Sequence, residues 1–404
     1  MDNSKKKLII VGGGAAGFFV AANIDKKKYS TLLLERAKNP MQKIKISGGG
    51  RCNVTHACFD PKELVGFYPR GNKELRSVFT KFQPGDTIAW FEERGLKLKT
   101  EADNRMFPVT DSSQDVMDIL LNSAVENGTQ IKYKSGVTQI KRQENQWKVQ
   151  TKNQEYLADV VVFCTGSSPK AYQMLKDLSI EIEDLVPSLF TFNIKDKTLE
   201  NLMGTSFENA IVKIPDLKAE ESGPLLITHW GLSGPAVLKL SAWCARELHT
   251  MKYDFSINVN FLGISLEKAN EIILKYKQDF PKKSLAKAKV FEVTQRFWEN
   301  ILNINKIDVT KKIANLSKKE KQLILKNLCD CELTVKGKST FKEEFVTAGG
   351  VKLHQIDFKT MQIKKLNDFY IAGEVLDIDA ITGGFNFQAC WSEAWLIAQK
   401  LNKN

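Results

Sequence analysis

Residues 6–24 read KKLIIVGGGAAGFFVAANI, and residues 31–36 follow with TLLLER. A short apolar run, a glycine cluster, a second apolar stretch and another short apolar run give the order strand, turn, helix, strand, which is a βαβ unit. Within it, each glycine of the spacing Gly12-x-Gly14-x-x-Gly17 has a physical use. Gly12 permits the tight turn, Gly14 lets a pyrophosphate approach the backbone, and Gly17 lets the helix pack close to the strand. Ala15 and Ala16 open a helix whose free N–H groups and dipole favour phosphate. Glu35 and Arg36 end the second strand, where a carboxylate accepts the hydroxyls of a ribose. These residues predict a dinucleotide-binding domain.

The rest of the chain must be more than this one domain, because 404 residues exceed one ordinary core and predict two or three domains. A composition of 43% hydrophobic and 26% charged residues is that of a soluble globular protein. The N-terminal apolar run is broken by glycines and is shorter than the ~20 residues of a membrane span, so a cytoplasmic protein is expected. Seven cysteines, an odd and scattered number, predict free thiols rather than a disulfide framework. Cys52, His56 and Cys58 lie close together, as do Cys329 and Cys331, but neither group has the paired spacing of a zinc site, and no metal is expected.

A late return of the first domain is visible in DFYIAGEVLDID (368–379), an apolar strand, followed by AITGGFNFQACWSEAWLIAQKL, which reads as a helix with Trp391, Ala394, Trp395, Ala398 and Leu401 on one face. Between the two parts, SLFTFNI, NAIVKIP, PLLITH, KYDFSINVNFL and CELTVKGKSTFKEEFVTAGG have the texture of strands. Residues 264–330 carry fifteen Lys and Arg against eight Asp and Glu, so +7 of the net +12 lies there, on segments with helical periodicity such as LEKANEIILKYKQDF. The expected organisation is a dinucleotide domain (1–187 and 347–404), a β-rich substrate domain (188–263 and 331–346) and a helical insertion within it (264–330).

Further stretches bear on the kind of dinucleotide. ADVVVFCTGSS ends a strand at Thr165 and Gly166, near where the adenine half crosses in such folds; Val137 is a further cofactor-lining candidate. GEVLDID places Gly373, Glu374, Asp377 and Asp379 after another strand, where an acid binds ribityl hydroxyls. KIKISGGGRCN follows the second strand by a short loop, so Gly48, Gly49 and Gly50 are expected beside the pyrophosphate or flavin ring, where a Cβ would collide. Lys43 and Arg51 offer cations there, Asn53 hydrogen-bonds, and Cys52 packs or senses. ITGGFNFQ, with Thr382, Gly383, Gly384, Phe385 and Asn386, opens the last helix, whose dipole would face the flavin N1 and C2 carbonyl. Contacts at both ends of an extended molecule favour FAD over a nicotinamide cofactor.

VGGGAAG, KISGGGRCNVTH, RMFPVTDSSQDV, THWGLSGPA, TAGGV and FYIAGEVLDIDAITGGFNFQ, in this order from residue 7 to about 400, resemble the bacterial FAD-binding flavoproteins of the aminoacetone oxidase and bile-acid dehydro-reductase-like family. The resemblance implies an α/β fold with a Rossmann-like FAD domain of the glutathione-reductase-like kind and two inserted domains. It also implies that the Gly48–Gly50 segment lines the cofactor.

The substrate side is thinner. His229, before a glycine turn in THWGLSGP, is the candidate proton donor or acceptor, Trp230 a substrate contact, and Arg105 a partner for an anionic group, with surface ion pairing as its alternative. The expected activity is hydride transfer between FAD and a small organic substrate, with NAD(P)H or oxygen as electron partner. The competing reading is a flavin-containing nucleic-acid-binding or RNA-modifying protein using the basic helices. Aromatic residues are not interleaved with the lysines as in stacking platforms, so those helices read as a solvated face and nucleic acid is not an expected partner.

Overall fold

The computed structural model describes residues 5–339 and 346–403, in two compact units: 1–185 with 347–404, and 186–346. Residues 340–345, part of the expected strand run CELTVKGKSTFKEEFVTAGG, lie outside the described residues.

The first unit is built on a seven-stranded sheet. Its central strands, Phe369–Ile371, Val160–Phe163, Lys6–Val11, Tyr29–Leu34 and Gln130–Lys132, are adjacent in that order and all parallel. Two short strands, Gln362–Ile363 and Ile356–Asp357, add an antiparallel edge. The register pairs Val11 with both Leu34 and Phe163, and Phe163 with Ile371, so Gly12, Glu35, Cys164 and Ala372 leave the sheet side by side at its carboxyl end. In open α/β sheets that end is where ligands bind. The first strand is buried from Leu8 to Val11, with a separate three-stranded sheet (Val137–Gln143, Gln146–Thr151, Glu155–Ala158) packed on the central strands through contacts such as Trp147 on Phe369, and burial on both faces explains an unbroken apolar run rather than an alternating one.

The last helix, Phe385–Lys403, departs from the single apolar face expected of it. Trp391, Ser392, Glu393, Ala394, Leu396, Ile397, Ala398 and Leu401 are all buried. Its packing extends around the helix: Trp391 meets Phe19 at 5.2 Å on one side, while Ser392 Oγ donates to the Phe82 carbonyl and Trp391 Nε1 to that of Val54.

The second unit has a six-stranded antiparallel sheet in the order Phe192–Asn193, Gly231–Ser233, Ala219–Ile227, Ser206–Ile214, Asp254–Asn260, Cys331–Lys336. Its helices include Leu266–Asp279, Gln295–Ile304 and Lys318–Cys329, started by Ser265, Thr294 and Ser317, whose hydroxyls accept the N–H groups of Lys268, Phe297 and Glu320. These helices share one core with the sheet: Phe297, Trp298, Ile324 and Leu328 belong to the same buried cluster as Phe207, Val212, Ile257 and Leu333. Among the described residues no helix is long and apolar enough to cross a membrane.

Candidate functional site

The Gly12–Gly17 turn lies at the carboxyl end of the first unit's sheet. Gly12 has φ +104°, and a Cβ there would stand 2.4 Å from the Cys164 carbonyl oxygen. A Cβ on Gly17 would stand 2.0 Å from the Gly12 carbonyl oxygen, so the helix Ala15–Asn23 packs on the turn as closely as backbone allows. Gly14 differs: it caps that helix, and a Cβ on it would meet no described atom within 4 Å. Open space beside a glycine at a helix N-terminus fits a phosphate that approaches the backbone.

Glu35 is half-buried at the same edge, and its two oxygens accept the N–H groups of Gly13 and Ala37, each at 2.6 Å. These bonds fix the carboxylate against the glycine turn and leave further lone pairs for ribose hydroxyls. Arg36 is exposed and reaches Ser168 Oγ at 3.4 Å. Thr165 and Gly166 follow the neighbouring strand, Gly166 with φ +60°. Val137 begins the strand Val137–Gln143 and is half-buried. The turn, the acid and the Thr165–Gly166 loop together fit the adenosine pyrophosphate half of a dinucleotide.

At the next strand end, Gly373 donates its N–H to the carboxylate of Glu393 at 2.6 Å. Glu393 is buried in the last helix, and burial pushes its pKa up to about 8, with the Gly373 N–H opposing that rise. Glu374, read as a ribityl acid, is engaged on both sides: it pairs with Lys43 and accepts the Thr347 N–H at 2.9 Å. Asp377 accepts the Gly349 N–H at 3.0 Å. Asp379 is fully buried in a two-bond pair with Arg70, a partner 309 residues away in sequence. These acids shape the loop before the last helix.

The three glycines of residues 48–50 lie at the end of the helical segment Gln42–Gly50, which breaks at Ser47. Gly48, Gly49 and Gly50 have φ of +57°, +69° and +86°, a conformation that L side chains rarely adopt, and they are exposed. A Cβ on Gly48 would press on Phe107 at 2.8 Å, whereas Gly49 has no described atom within 4 Å. Arg51 turns away into an ion-pair group: it meets Glu101 at 2.6 Å and Asp111 at 3.5 Å, and its guanidinium lies 4.0 Å from the Phe107 ring. Arg105 joins the same group through Asp103 at 2.7 Å and Glu101 at 3.2 Å, the surface pairing that was its alternative role. Cys52 is buried, and burial pushes its thiol up to about 12, so it packs as a small apolar side chain. All seven cysteines are free thiols, and among the described residues no cluster of His, Cys, Asp or Glu could hold a metal ion.

Asn53 ties this loop to the last helix. With its amide turned to satisfy its neighbours, its nitrogen donates to the Thr55 carbonyl at 2.9 Å and its oxygen accepts the Gly384 N–H at 2.9 Å. Gly384 can be nothing larger, since a Cβ would stand 2.6 Å from the Thr55 oxygen. Thr382 is half-buried just before, Gly383 has φ +143°, and Asn386 closes the turn by bonding both the N–H and the carbonyl of Ala380. Phe385 is buried and stacks on Phe67 at 4.3 Å and on His56 at 4.5 Å. Two more side chains pin this helix start: Tyr68 Oη donates to the Phe385 carbonyl at 2.6 Å, and Gln388 accepts from Thr55 and Thr87.

Sequence reasoning missed His56 as part of this arrangement, having set it beside cysteines, and missed Tyr68, Arg70, Gln388 and Glu393. No local signal marks them, because each acts through a partner brought from far along the chain. His229 and Trp230 belong to the second unit, in the turn between its strands Ala219–Ile227 and Gly231–Ser233, and both are exposed.

The family described as the HI0933-like protein Rossmann domain matches residues 6–400. A ribosomal RNA dihydrouridine synthase of Escherichia coli is 28% identical, covering 92% of this chain and 91% of its own. A 3-dehydro-bile acid delta(4,6)-reductase of Clostridium scindens is 24% identical over 90% of both chains. In fold, the chain resembles 3-ketosteroid delta1-dehydrogenase from Sterolibacterium denitrificans, with a TM-score of 0.52 at 10% identity, covering 99% of this chain and 100% of that one.

Proposed function

The chain belongs to the HI0933-like family and is an FAD-dependent oxidoreductase, and on that premise we propose that it reduces a carbon–carbon double bond conjugated to a carbonyl, in a uracil ring of RNA. The observation that carries this reading is the likeness to a ribosomal RNA dihydrouridine synthase over more than 90% of both chains. Dihydrouridine is uridine with two hydrogens added across C5–C6, a bond conjugated to the C4 carbonyl. The bile-acid relative's name describes reduction of ring double bonds near a 3-oxo group, the same electronic arrangement. Such a carbonyl draws charge through the double bond and makes its far carbon a hydride acceptor.

In this reading the Gly12–Gly17 turn and the Ala15–Asn23 helix hold the FAD pyrophosphate, Glu35 the adenosine ribose, and the first turn of the last helix the ring. FAD, when bound, supplies the hydride chemistry, with NAD(P)H as the source of electrons. The protein's own contribution is to hold, orient and exclude water. The lysine-rich helices then serve as more than a solvated face. Lys318 and Lys321 lie at the start of the helix Lys318–Cys329, beside a shallow hollow against Leu266–Asp279 in which Lys277 Nζ donates to the Leu316 carbonyl, and they supply positive charge for RNA phosphates. Aromatic stacking on these helices is not needed if the reacting base is held elsewhere. The reading also places the protein in the cytoplasm, with RNA.

The test is to incubate the purified FAD protein with NADH or NADPH and unmodified ribosomal RNA, digest to nucleosides and look for dihydrouridine by mass spectrometry. Its appearance is expected. If none forms and a steroid 4-en-3-one is reduced instead, the substrate is of the bile-acid kind, the second reading that the Clostridium relative favours. Replacing Lys318, Lys319 and Lys321 together by Glu should weaken RNA binding at ~0.15 M salt by about tenfold or more in a gel-shift titration, with FAD content unchanged.

A further inference from the structure

His56 ends the two-residue strand Thr55–His56, which pairs with Met106 and Arg105. Its ring is stacked on Phe385, the first residue of the last helix, with centroids 4.5 Å apart and planes 18° from parallel, and it lies 5.7 Å from Phe67. A Cβ on Gly383 would come within 3.3 Å of His56 Cδ2. The imidazole is therefore fixed beside the Gly383–Gly384 turn, where the flavin ring is placed in the reading above.

Nδ1 of His56 is buried, and among the described residues it has no hydrogen-bond partner. Orphaned buried N–H groups are rarer than orphaned acceptors, so the favoured tautomer leaves Nδ1 bare and carries the proton on Nε2. The ring as a whole is only half-buried, so its exposure comes from its other atoms. Burial holds the imidazole pKa below its ordinary value; Asp103 opposes this and Arg105 reinforces it, while Phe67 and Phe385 carry no charge. The side chain is thus a neutral imidazole with one N–H to donate, held by stacking at the start of the last helix. A neutral imidazole polarises a carbonyl without transferring its proton.

We propose that His56 donates a hydrogen bond from Nε2 to the conjugated carbonyl of the substrate ring, orienting that ring against the first turn of the last helix and drawing charge out of the double bond. The proposal rests on the reading of this protein as a reductase of such bonds, and it gives His56 a hydrogen-bonding role distinct from the proton transfer that the sequence suggested for His229.

The test uses the FAD-loaded protein. His56→Phe keeps the stack on Phe385 and removes the donor, whereas His56→Gln keeps a donor. Both variants should retain the parent's FAD-to-protein ratio and melting temperature within a few degrees. His56→Phe should lower kcat/KM on RNA by roughly 10- to 100-fold, mostly in kcat, and His56→Gln should recover most of it. In protein labelled with ¹⁵N-histidine, the His56 resonances should report the Nε2–H tautomer and shift on addition of uridine monophosphate. Full activity in His56→Phe, or imidazole resonances unmoved by the nucleotide while the parent reduces RNA, overturns the proposal and leaves the reductase reading standing. A parent that reduces neither RNA nor a steroid 4-en-3-one overturns that reading, and the proposal with it.

Discussion

Two glycine clusters at the edge of the same unit are glycine for different reasons. Gly12 and Gly17 are crowded by backbone, with a Cβ placed 2.4 and 2.0 Å from carbonyl oxygens. Gly49 and Gly50 are uncrowded, and it is their φ of +69° and +86° that excludes a side chain. Gly14 is a third kind, with an ordinary φ of −94° and no described atom near its Cβ position. Close packing, left-handed backbone and room for a ligand all appear in a sequence as the same letter. The surroundings separate them, and substitution should do so too.

The largest effect is expected at Gly12. Gly12→Val drives a branched side chain into the Cys164 carbonyl at φ +104°, and it should cost about 3 kcal/mol or more, leaving little folded protein in a circular-dichroism melt. Gly14→Val should act on ligand alone: flavin absorbance per mole of protein falls to the background, while the flavin-free protein melts within a few degrees of the parent stripped of flavin. Retained FAD in that variant would remove the distinction between the first and third kinds of glycine. Gly49→Ala should be mildest, costing about 1–2 kcal/mol through left-handed strain with FAD content unchanged. If it instead releases FAD while melting like the parent, the run at 48–50 lines the cofactor, and the two clusters are alike after all.

How much of this was legible in the sequence follows from distance along the chain. The strand, turn, helix and strand of residues 6–34 could be read because each signal is local: an apolar run, glycines at fixed offsets, an acid at the next strand end. The acids after Gly373 were recognisable as a cluster, but not by role, because their partners are remote. Asp379 answers to Arg70, Glu374 to Lys43 and Thr347, and Glu393 to the Gly373 N–H. Arg51 and Arg105 looked available as cations because Glu101, Asp103 and Asp111 were not yet known to face them. The last helix was under-read for the same reason: periodicity shows one apolar stripe, whereas the polar Ser392 and Glu393 are buried because backbone groups elsewhere receive them.

The position of one strand also bears on how the chain is made. Val160–Phe163 lies in the sheet between Lys6–Val11 and Phe369–Ile371, so one side of it is completed only by residues synthesised some two hundred positions later. At about 5–20 residues per second, a nascent chain holds that open strand edge for roughly ten seconds or more before its neighbour emerges. Meanwhile residues 186–346 contain a core of their own and can fold first. During that interval the unpaired Val160–Phe163 edge, apolar at every position, is where a nascent-chain chaperone has most to shield and where premature pairing between neighbouring copies on a polysome would begin.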